Sequence, residues 1–533
     1  MDRQKNIDDL VSGTVSLGIE LGSTRIKAVL VNGEYSPIST GTFNWESSLV
    51  NGAWSYDLAD VWLGIKTAYA KLAADVMEKY GITLTKIKSL GISGMMHGYL
   101  AFSREGTLLV PFRTWRNTIT EQSASILTSE LGFNIPQRWS IAHLYQAILN
   151  EEEHVGEIDY LTTLSGYVHW KLTGERILGV GDASGMFPID LEIGDFDRMK
   201  MDQFNALIDS YSLNWKLEDI LPTVRSAGDQ AGQLTKEGAN LLDPTGKLEA
   251  GVPMAAPEGD AGTGMVATNS VGMRTGNVSA GTSIFSMVVL EEPLKRVHIE
   301  LDMVTTPAGD PVAMVHCNTG TSELDAWVNL FDETLRLFGV QEDKSAIYKT
   351  LYGEALNGEV DAGGLISFNY FSGETITGVE DGRPLLLRRP ETSLNVANLF
   401  RSHLYSAIAT LKLGMDILTV EEKVELDVLT GHGGLFKTEG VAQGILASAL
   451  NIPVRVMKTA GEGGPWGMAV LSAYLVDRQS GETLEDFLND KVFVREEANI
   501  MEPSKLVHEG FMDFIDKYRA CIEVEKEAIR RLI

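Results

Sequence analysis

Cysteine is almost absent from this chain, with Cys317 and Cys521 the only two among 533 residues. That count excludes a disulfide framework, and the pair lacks the spacing of a structural zinc site. A reducing compartment follows as the expectation. Basic residues are also in deficit: 45 lysines and arginines stand against 73 acidic residues, a net charge of −28. Such a balance excludes broad attraction to nucleic-acid phosphates or anionic lipid. No apolar run reaches the length that crosses a bilayer. The first residues are polar and carry Asp2, Asp8 and Asp9, so they lack the basic start and apolar stretch of a secretion signal. We therefore expect a cytoplasmic protein with neither nucleic-acid nor membrane partners.

What remains is an ordinary globular composition, 44% hydrophobic and 22% charged, with no tract that looks disordered. A folded enzyme fits this better than a scaffold. The length exceeds what one core serves, so two domains are expected. Any anionic ligand would need a local site made of backbone amides, helix N-termini or magnesium, because the overall charge opposes it.

A strand-like run at 14–19 leads into Glu20-Leu-Gly-Ser-Thr24, and a second run at 26–32 follows at once. This reads as a hairpin whose turn, Gly22, Ser23 and Thr24, brings small residues close to a phosphate. Helical periodicity covers 58–80, a buried strand covers 87–92, and Gly94-Met-Met-His-Gly98 lies at its end, where α/β proteins place ligands. Residues 120–150 and 160–172 read as helical, and 226–252 as a turn-rich approach to a hinge. Near 277–290 the pattern repeats: a strand, a Gly281-Thr-Ser283 turn and another strand. Two such hairpins half a chain apart imply an internal duplication. Helices are expected at 322–338, 394–418 and 441–450, with glycine clusters at 431–434 and 461–467.

Each motif alone is weak. In this order and at these separations, Glu20-Leu-Gly-Ser-Thr, Gly94-Met-Met-His-Gly, Glu258-Gly-Asp-Ala-Gly, Ser279-Ala-Gly-Thr-Ser, Gly431-His-Gly-Gly-Leu-Phe-Lys437 and Gly461-Glu-Gly-Gly-Pro-Trp-Gly-Met-Ala469 resemble the FGGY carbohydrate kinases. The resemblance extends over nearly the whole chain and is nearest to xylulokinase-like pentulose kinases. It implies an α/β fold of two actin/hexokinase-like (ribonuclease H-like) domains with an interdomain cleft, divided here at 1–265 and 266–533. It also implies an ATP-dependent kinase acting on a small sugar or polyol, with xylulose or ribulose as the leading acceptors. Among similar kinases a homodimer is common, and the oligomeric state stays open.

The resemblance also implies roles for individual residues. Gly22, Ser23, Thr24 and Lys27 fill the later positions of the family's first phosphate turn, while Glu20 stands where the family usually has Asp. A carboxylate there can hold Mg2+ through water. Gly281, Thr282 and Ser283 match the second phosphate turn. Gly431, Gly433, Gly434 and Lys437 resemble the adenosine motif, interrupted by His432. Met96, His97 and Gly98 match a sugar-binding strand end, and Trp115 in Trp-Arg-Asn117 resembles an aromatic platform with polar neighbours. Asp182 reads equally as a cap and as a substrate contact. Asp260 matches the family's general base; it also suits a helix cap, and it is a second candidate Mg2+ ligand. Tyr370-Phe-Ser-Gly-Glu374 reads as structural, and the 461–469 segment as a junction where helices of the two domains cross. A rival reading is a sugar- or nucleotide-sensing regulator of the same fold without productive transfer.

Overall fold

The computed structural model describes residues 3–457, 463–494, 496 and 499–532. The chain divides into two compact units. The first is Met1–Val271 with Met303–Val312 and Glu462–Arg495; the second is Gly272–Asp302 with Ala313–Gly461 and Glu496–Ile533.

In the first unit, β1 (Ser16–Leu21) and β2 (Arg25–Val31) form the expected hairpin, followed by β3 (Pro37–Asn44), β4 (Ser89–Gly94) and β5 (Glu258–Gly259). Their order across the sheet is β5-β4-β1-β2-β3. β4 runs parallel to both β1 and β5, and the register aligns Leu21, Gly94 and Gly259. The three strands therefore end side by side at one edge. Apolar residues drive this sheet inward: Leu17, Ile19, Leu21, Leu90 and Ile92 are all buried, packed with Ile65, Ala68 and Leu72 of the Leu58–Tyr80 helix. That helix begins where the Asp57 side chain accepts from Ala59 N–H and stops at Gly81, which is left-handed at φ 73°.

The second unit repeats the plan. β6 (Thr275–Ala280) and β7 (Ile284–Val289) make a hairpin, with β8 (Leu301–Thr305), β9 (Pro311–Cys317), β10 (Val428–His432), β11 (Val454–Val456) and β12 (Asn499–Met501) in the order β8-β9-β7-β6-β10-β11-β12. β10 is parallel to β6, as β4 is to β1. The shared plan of hairpin plus parallel neighbour is the duplication expected from the sequence. Tyr370 and Glu374 are buried, and the Glu374 carboxylate accepts from Thr319 N–H and Oγ1 at 3.1 and 3.2 Å, which is a structural use of that segment.

Several elements differ from their sequence reading. The 120–150 stretch is two helices, Glu121–Leu131 and Ser140–Leu149, because Gly132 takes a left-handed φ of 59° and ends the first. Tyr160–Thr162 is a strand paired with Leu100–Phe102, and the following helix, Leu164–Thr173, is capped by Thr163. The turn-rich 226–252 stretch contains a helix, Lys236–Leu242. A 27-residue C-terminal helix, Lys505–Arg531, buries Phe511, Phe514, Ile515 and Tyr518.

Of the 461–469 segment, Gly461 and Glu462 lie outside the described residues. The helix that follows, Gly464–Asp477, packs on β1, β4 and the Asp260–Ala267 helix. Both crossing helices lie in the first compact unit. Glycine explains the closeness: a Cβ on Gly18 would stand 2.2 Å from the Pro465 carbonyl oxygen, and one on Gly91 2.3 Å from Met468.

Candidate active site

The three aligned strand ends of the first unit collect most of the predicted residues. Gly22 follows β1, Met95 to Gly98 follow β4, and Asp260 follows β5 as the first residue of its helix. Asp260 Oδ1 accepts from the Met96 N–H at 3.3 Å, which ties the end of β5 to the end of β4. The Met96 side chain covers Gly259 so closely that a Cβ there would be 2.2 Å from Met96 Cγ.

His97 has a φ of 66°, left-handed for a residue with a Cβ, and Gly98 continues at 89°. Backbone of this kind is retained where the surroundings enforce it and clusters at functional sites. Here Gly98 N–H donates to Arg138 O at 3.2 Å and Ser140 Oγ donates to Gly98 O at 2.6 Å. The His97 ring lies against Trp139, and its Nδ1 sits 3.0 Å from the Gly185 carbonyl. An Nδ1 proton donated there makes Nε2 the acceptor of the neutral ring, suited to a hydroxyl.

Glu20 and Asp260 are both partly buried. Burial above all, then the charge of Asp260, pushes the Glu20 carboxyl up to about 8, against the opposing pull of Lys27 and Arg25. Lys27 lies opposite Glu20 in the β1–β2 ladder. Burial also raises Asp260 to about 6, while amides of Met96 and Ala261 favour its charged form. This pair fits Mg2+, which takes one or two carboxylates and completes its shell with water and phosphate oxygens. A cation would relieve the repulsion that raises Glu20 and compete with its proton.

Asp182 and Glu258 lie deeper, 0% and 1% exposed. Glu258 accepts from the amides of Asp182 and Gly181 at 3.0 and 3.3 Å. Asp182 Oδ2 accepts from Thr163 Oγ1 at 2.7 Å and from the Ser165 hydroxyl. Burial raises Asp182 to about 7, and burial followed by the charge of Asp182 raises Glu258 to about 8. Asp182 is thus held beneath the strand end by the side chains of Thr163 and Ser165. Glu258 was in the motif, but nothing in its spacing signalled this use.

Trp115 is exposed and its Nε1 donates to Ser23 Oγ at 3.3 Å, joining the expected platform to the first turn. Asn117 is buried and spends its amide on backbone, accepting from Trp54 N–H at 2.7 Å and donating to Trp54 O at 2.9 Å. Arg116 stacks on Trp54 at 4.1 Å.

In the second unit, Gly281 to Ser283 form the turn between β6 and β7. Gly281 O accepts from Thr321 N–H at 2.9 Å, and Gly320 lies under the turn, where a Cβ would be 2.4 Å from the oxygens of Gly281 and Thr282. β10 runs beside β6 with His432 opposite Ser279, so Gly433 and Gly434 emerge next to that turn. Gly433 has a φ of 99°, and a Cβ on it would be 2.5 Å from Ala280 O. Lys437 ends the short helix Gly434–Lys437 and is exposed. Burial pushes His432 down to about 4, so its imidazole is neutral at pH 7.

A duplicated hairpin sheet with glycine turns at its strand ends, and a carboxylate at the start of a helix beside a Met-His-Gly bend, is the arrangement that the resemblance to the FGGY carbohydrate kinases implies. Family models agree: the N-terminal domain of the FGGY family of carbohydrate kinases matches residues 15–267 and its C-terminal domain residues 276–476. The chain belongs to the FGGY family of carbohydrate kinases. It is 24% identical over 300 residues to the xylulose kinase of Escherichia coli K12, covering 53% of this chain and 56% of that one. It is 22% identical over 343 residues to the Haemophilus influenzae xylulose kinase, covering 62% and 64%. The chain thus aligns with little more than half the length of these relatives. Solved structures match more fully: xylulose kinase from Rhodospirillum rubrum with TM-score 0.76, 17% identity and coverage of 96% and 98%, and gluconate kinase from Lactobacillus acidophilus with 0.79, 14%, 98% and 100%. At these identities the structures speak to fold.

Proposed function

We propose that this protein transfers the γ-phosphoryl group of ATP to a hydroxyl of a small sugar or polyol, with a ketopentose such as xylulose or ribulose as the first acceptor to test. The observation that carries this reading is Asp260: a carboxylate at the end of β5, hydrogen-bonded to the Met96 amide and raised to about 6. A sugar hydroxyl is a weak nucleophile until a base takes its proton, and the remaining work of phosphoryl transfer is positioning and charge neutralisation.

In this reading Met96, His97, Gly98 and Trp115 hold the sugar, with His97 Nε2 accepting from a hydroxyl. Asp260 takes the hydroxyl proton, the alkoxide oxygen bonds to the γ-phosphorus, and the bond to the β-bridging oxygen breaks to release ADP. Gly22, Ser23 and Thr24 with Lys27, and Gly281, Thr282 and Ser283, donate to the phosphates. Gly431, Gly433, Gly434 and Lys437 accept the adenosine. Glu20, through water, and Asp260 would hold Mg2+, which would supply neutralisation of phosphate charge. The names of the curated relatives favour xylulose, while the gluconate kinase of equally similar fold keeps sugar acids in view.

Coupled ADP release against pentuloses, pentoses, hexuloses, gluconate, erythritol and glycerol tests the proposal. Turnover is expected with one class, pentuloses first. A chain that binds nucleotide yet turns over none of them would be a sensor of the same fold.

A further inference from the structure

The orientation of the first turn is imposed from outside its hairpin. The β1–β2 ladder closes at Leu21 and Ile26, and one backbone bond, Gly22 N–H to Arg25 O at 3.0 Å, spans the turn itself. The carbonyls of Gly22, Ser23 and Thr24 are gripped from outside the hairpin. Trp45 Nε1 donates to Gly22 O at 2.7 Å, the Tyr56 hydroxyl donates to Ser23 O at 2.6 Å, and Trp45 N–H donates to Thr24 O at 3.2 Å. Trp45 and Tyr56 are 6% and 3% exposed, with ring centroids 4.3 Å apart.

The peptide bonds here are trans, so each N–H points opposite to the carbonyl of its own plane. Holding Gly22 O and Ser23 O therefore turns the amides of Ser23 and Thr24 to the other side of the turn. Two successive amides facing one way form an anion-binding concavity.

The grip has its own support. The hairpin of Ser48–Val50 and Ala53–Ser55 lies between Trp45 and Tyr56. It is fixed by Asn117, which pairs with both backbone groups of Trp54, by Thr114 N–H donating to Trp54 O at 3.1 Å, and by Arg116 Nη1 donating to Ser47 Oγ at 2.7 Å. Trp115, in the same segment, donates to Ser23 Oγ. One short stretch, 114–117, thus braces the flap and touches the turn.

We propose that Trp45 and Tyr56 are positioning residues that aim the Ser23 and Thr24 amides at a nucleotide phosphate, and that the 114–117 segment couples the sugar side of the site to that aim. The inference rests on the reading of the first turn as a phosphate turn. Neither aromatic residue touches the reacting atoms; each acts through the backbone it holds.

Calorimetric titration with Mg2+ and adenylyl imidodiphosphate, a non-hydrolysable ATP analogue, tests this without turnover. Tyr56→Phe and Trp45→Phe each remove one donor while keeping a ring, and each is expected to weaken binding about fivefold, the loss of one net hydrogen bond. A residue that only stabilised the fold would lower the binding stoichiometry through the folded fraction and leave Kd unmoved. Unchanged Kd in both variants overturns the inference, and Trp45→Phe decides alone if Tyr56→Phe does not fold. Weakened analogue binding together with absence of sugar turnover in the parent protein would overturn the kinase reading and support this one. A parent protein that binds no analogue would overturn the phosphate-turn reading beneath both.

Discussion

Gly467 meets Thr263 so closely that a Cβ on Gly467 would stand 2.1 Å from the Thr263 carbonyl oxygen. Thr263 lies one turn into the helix that Asp260 begins, and its hydroxyl contacts Ser93 Oγ at 3.0 Å. Gly467→Ala must push the two helices apart, and is expected to lower stability by about 1–3 kcal/mol and to cut turnover by displacing Asp260. Gly156, with nothing within 4 Å of its Cβ position, is the control. Urea unfolding of both variants checks this; equal midpoints would contradict it.

Asp260→Asn keeps the shape of the side chain and removes the base. A fall in kcat of about 10²–10⁴ is expected. Near-normal turnover would remove Asp260 from the reaction.

The pH profile follows from the same group. A base must be ionised, and Asp260 is raised to about 6, so kcat/KM for the sugar should fall as pH drops through 6 and level off above it. Initial rates between about pH 4.5 and 8 at saturating Mg-ATP read this directly, and a flat profile across that range would conflict with the assignment.

Glu20→Gln removes charge without changing length. If Glu20 orders water on Mg2+, the Mg2+ concentration for half-maximal rate should rise about tenfold or more. Equal Mg2+ dependence would place Glu20 outside metal binding.

Glu525 offers a stability test away from the site. It is 0% exposed, with Oε1 accepting from Arg383 N–H at 2.7 Å, and burial raises its carboxyl to about 7. Because the folded state holds the proton more tightly than the unfolded chain, its contribution is full below the unfolded pKa of about 4.3 and is lost as pH rises through 7. Glu525→Gln should flatten the decline in stability over that window, measured by denaturant melts at pH 4.5, 6 and 8. An unchanged slope would show that Glu525 does not contribute to it.

Glycine turns were the most legible part of the sequence, because a strand, a small-residue turn and a strand form a local pattern that needs no tertiary knowledge. Residues 22–24, 281–283 and 433–434 all lie at strand ends. The helices at 58–80 and 441–450 were equally plain from their periodicity. Asp182 is ambiguous in the sequence because a buried acid and a ligand-binding acid share one local signature, and its neighbours Thr163, Ser165 and Glu258 come together only in the folded chain. Trp45 and Tyr56 carried no signal, since their partners are backbone carbonyls more than twenty residues away. The terminal helix, by contrast, carries the helical spacing of apolar residues at 511, 514, 515 and 518.

The bed in which Glu258 lies has a consequence for descent. Cβ atoms on Gly179 and Gly181 would come within 2.2 and 2.5 Å of its carboxylate oxygens. The long acid therefore demands both bare backbone positions. A lineage that trades it for a short side chain frees Gly181 to acquire a substituent, whereas Gly179 stays bare because the Pro257 carbonyl oxygen lies 2.7 Å from its Cβ position; sites 181 and 258 should therefore change together when related chains are aligned.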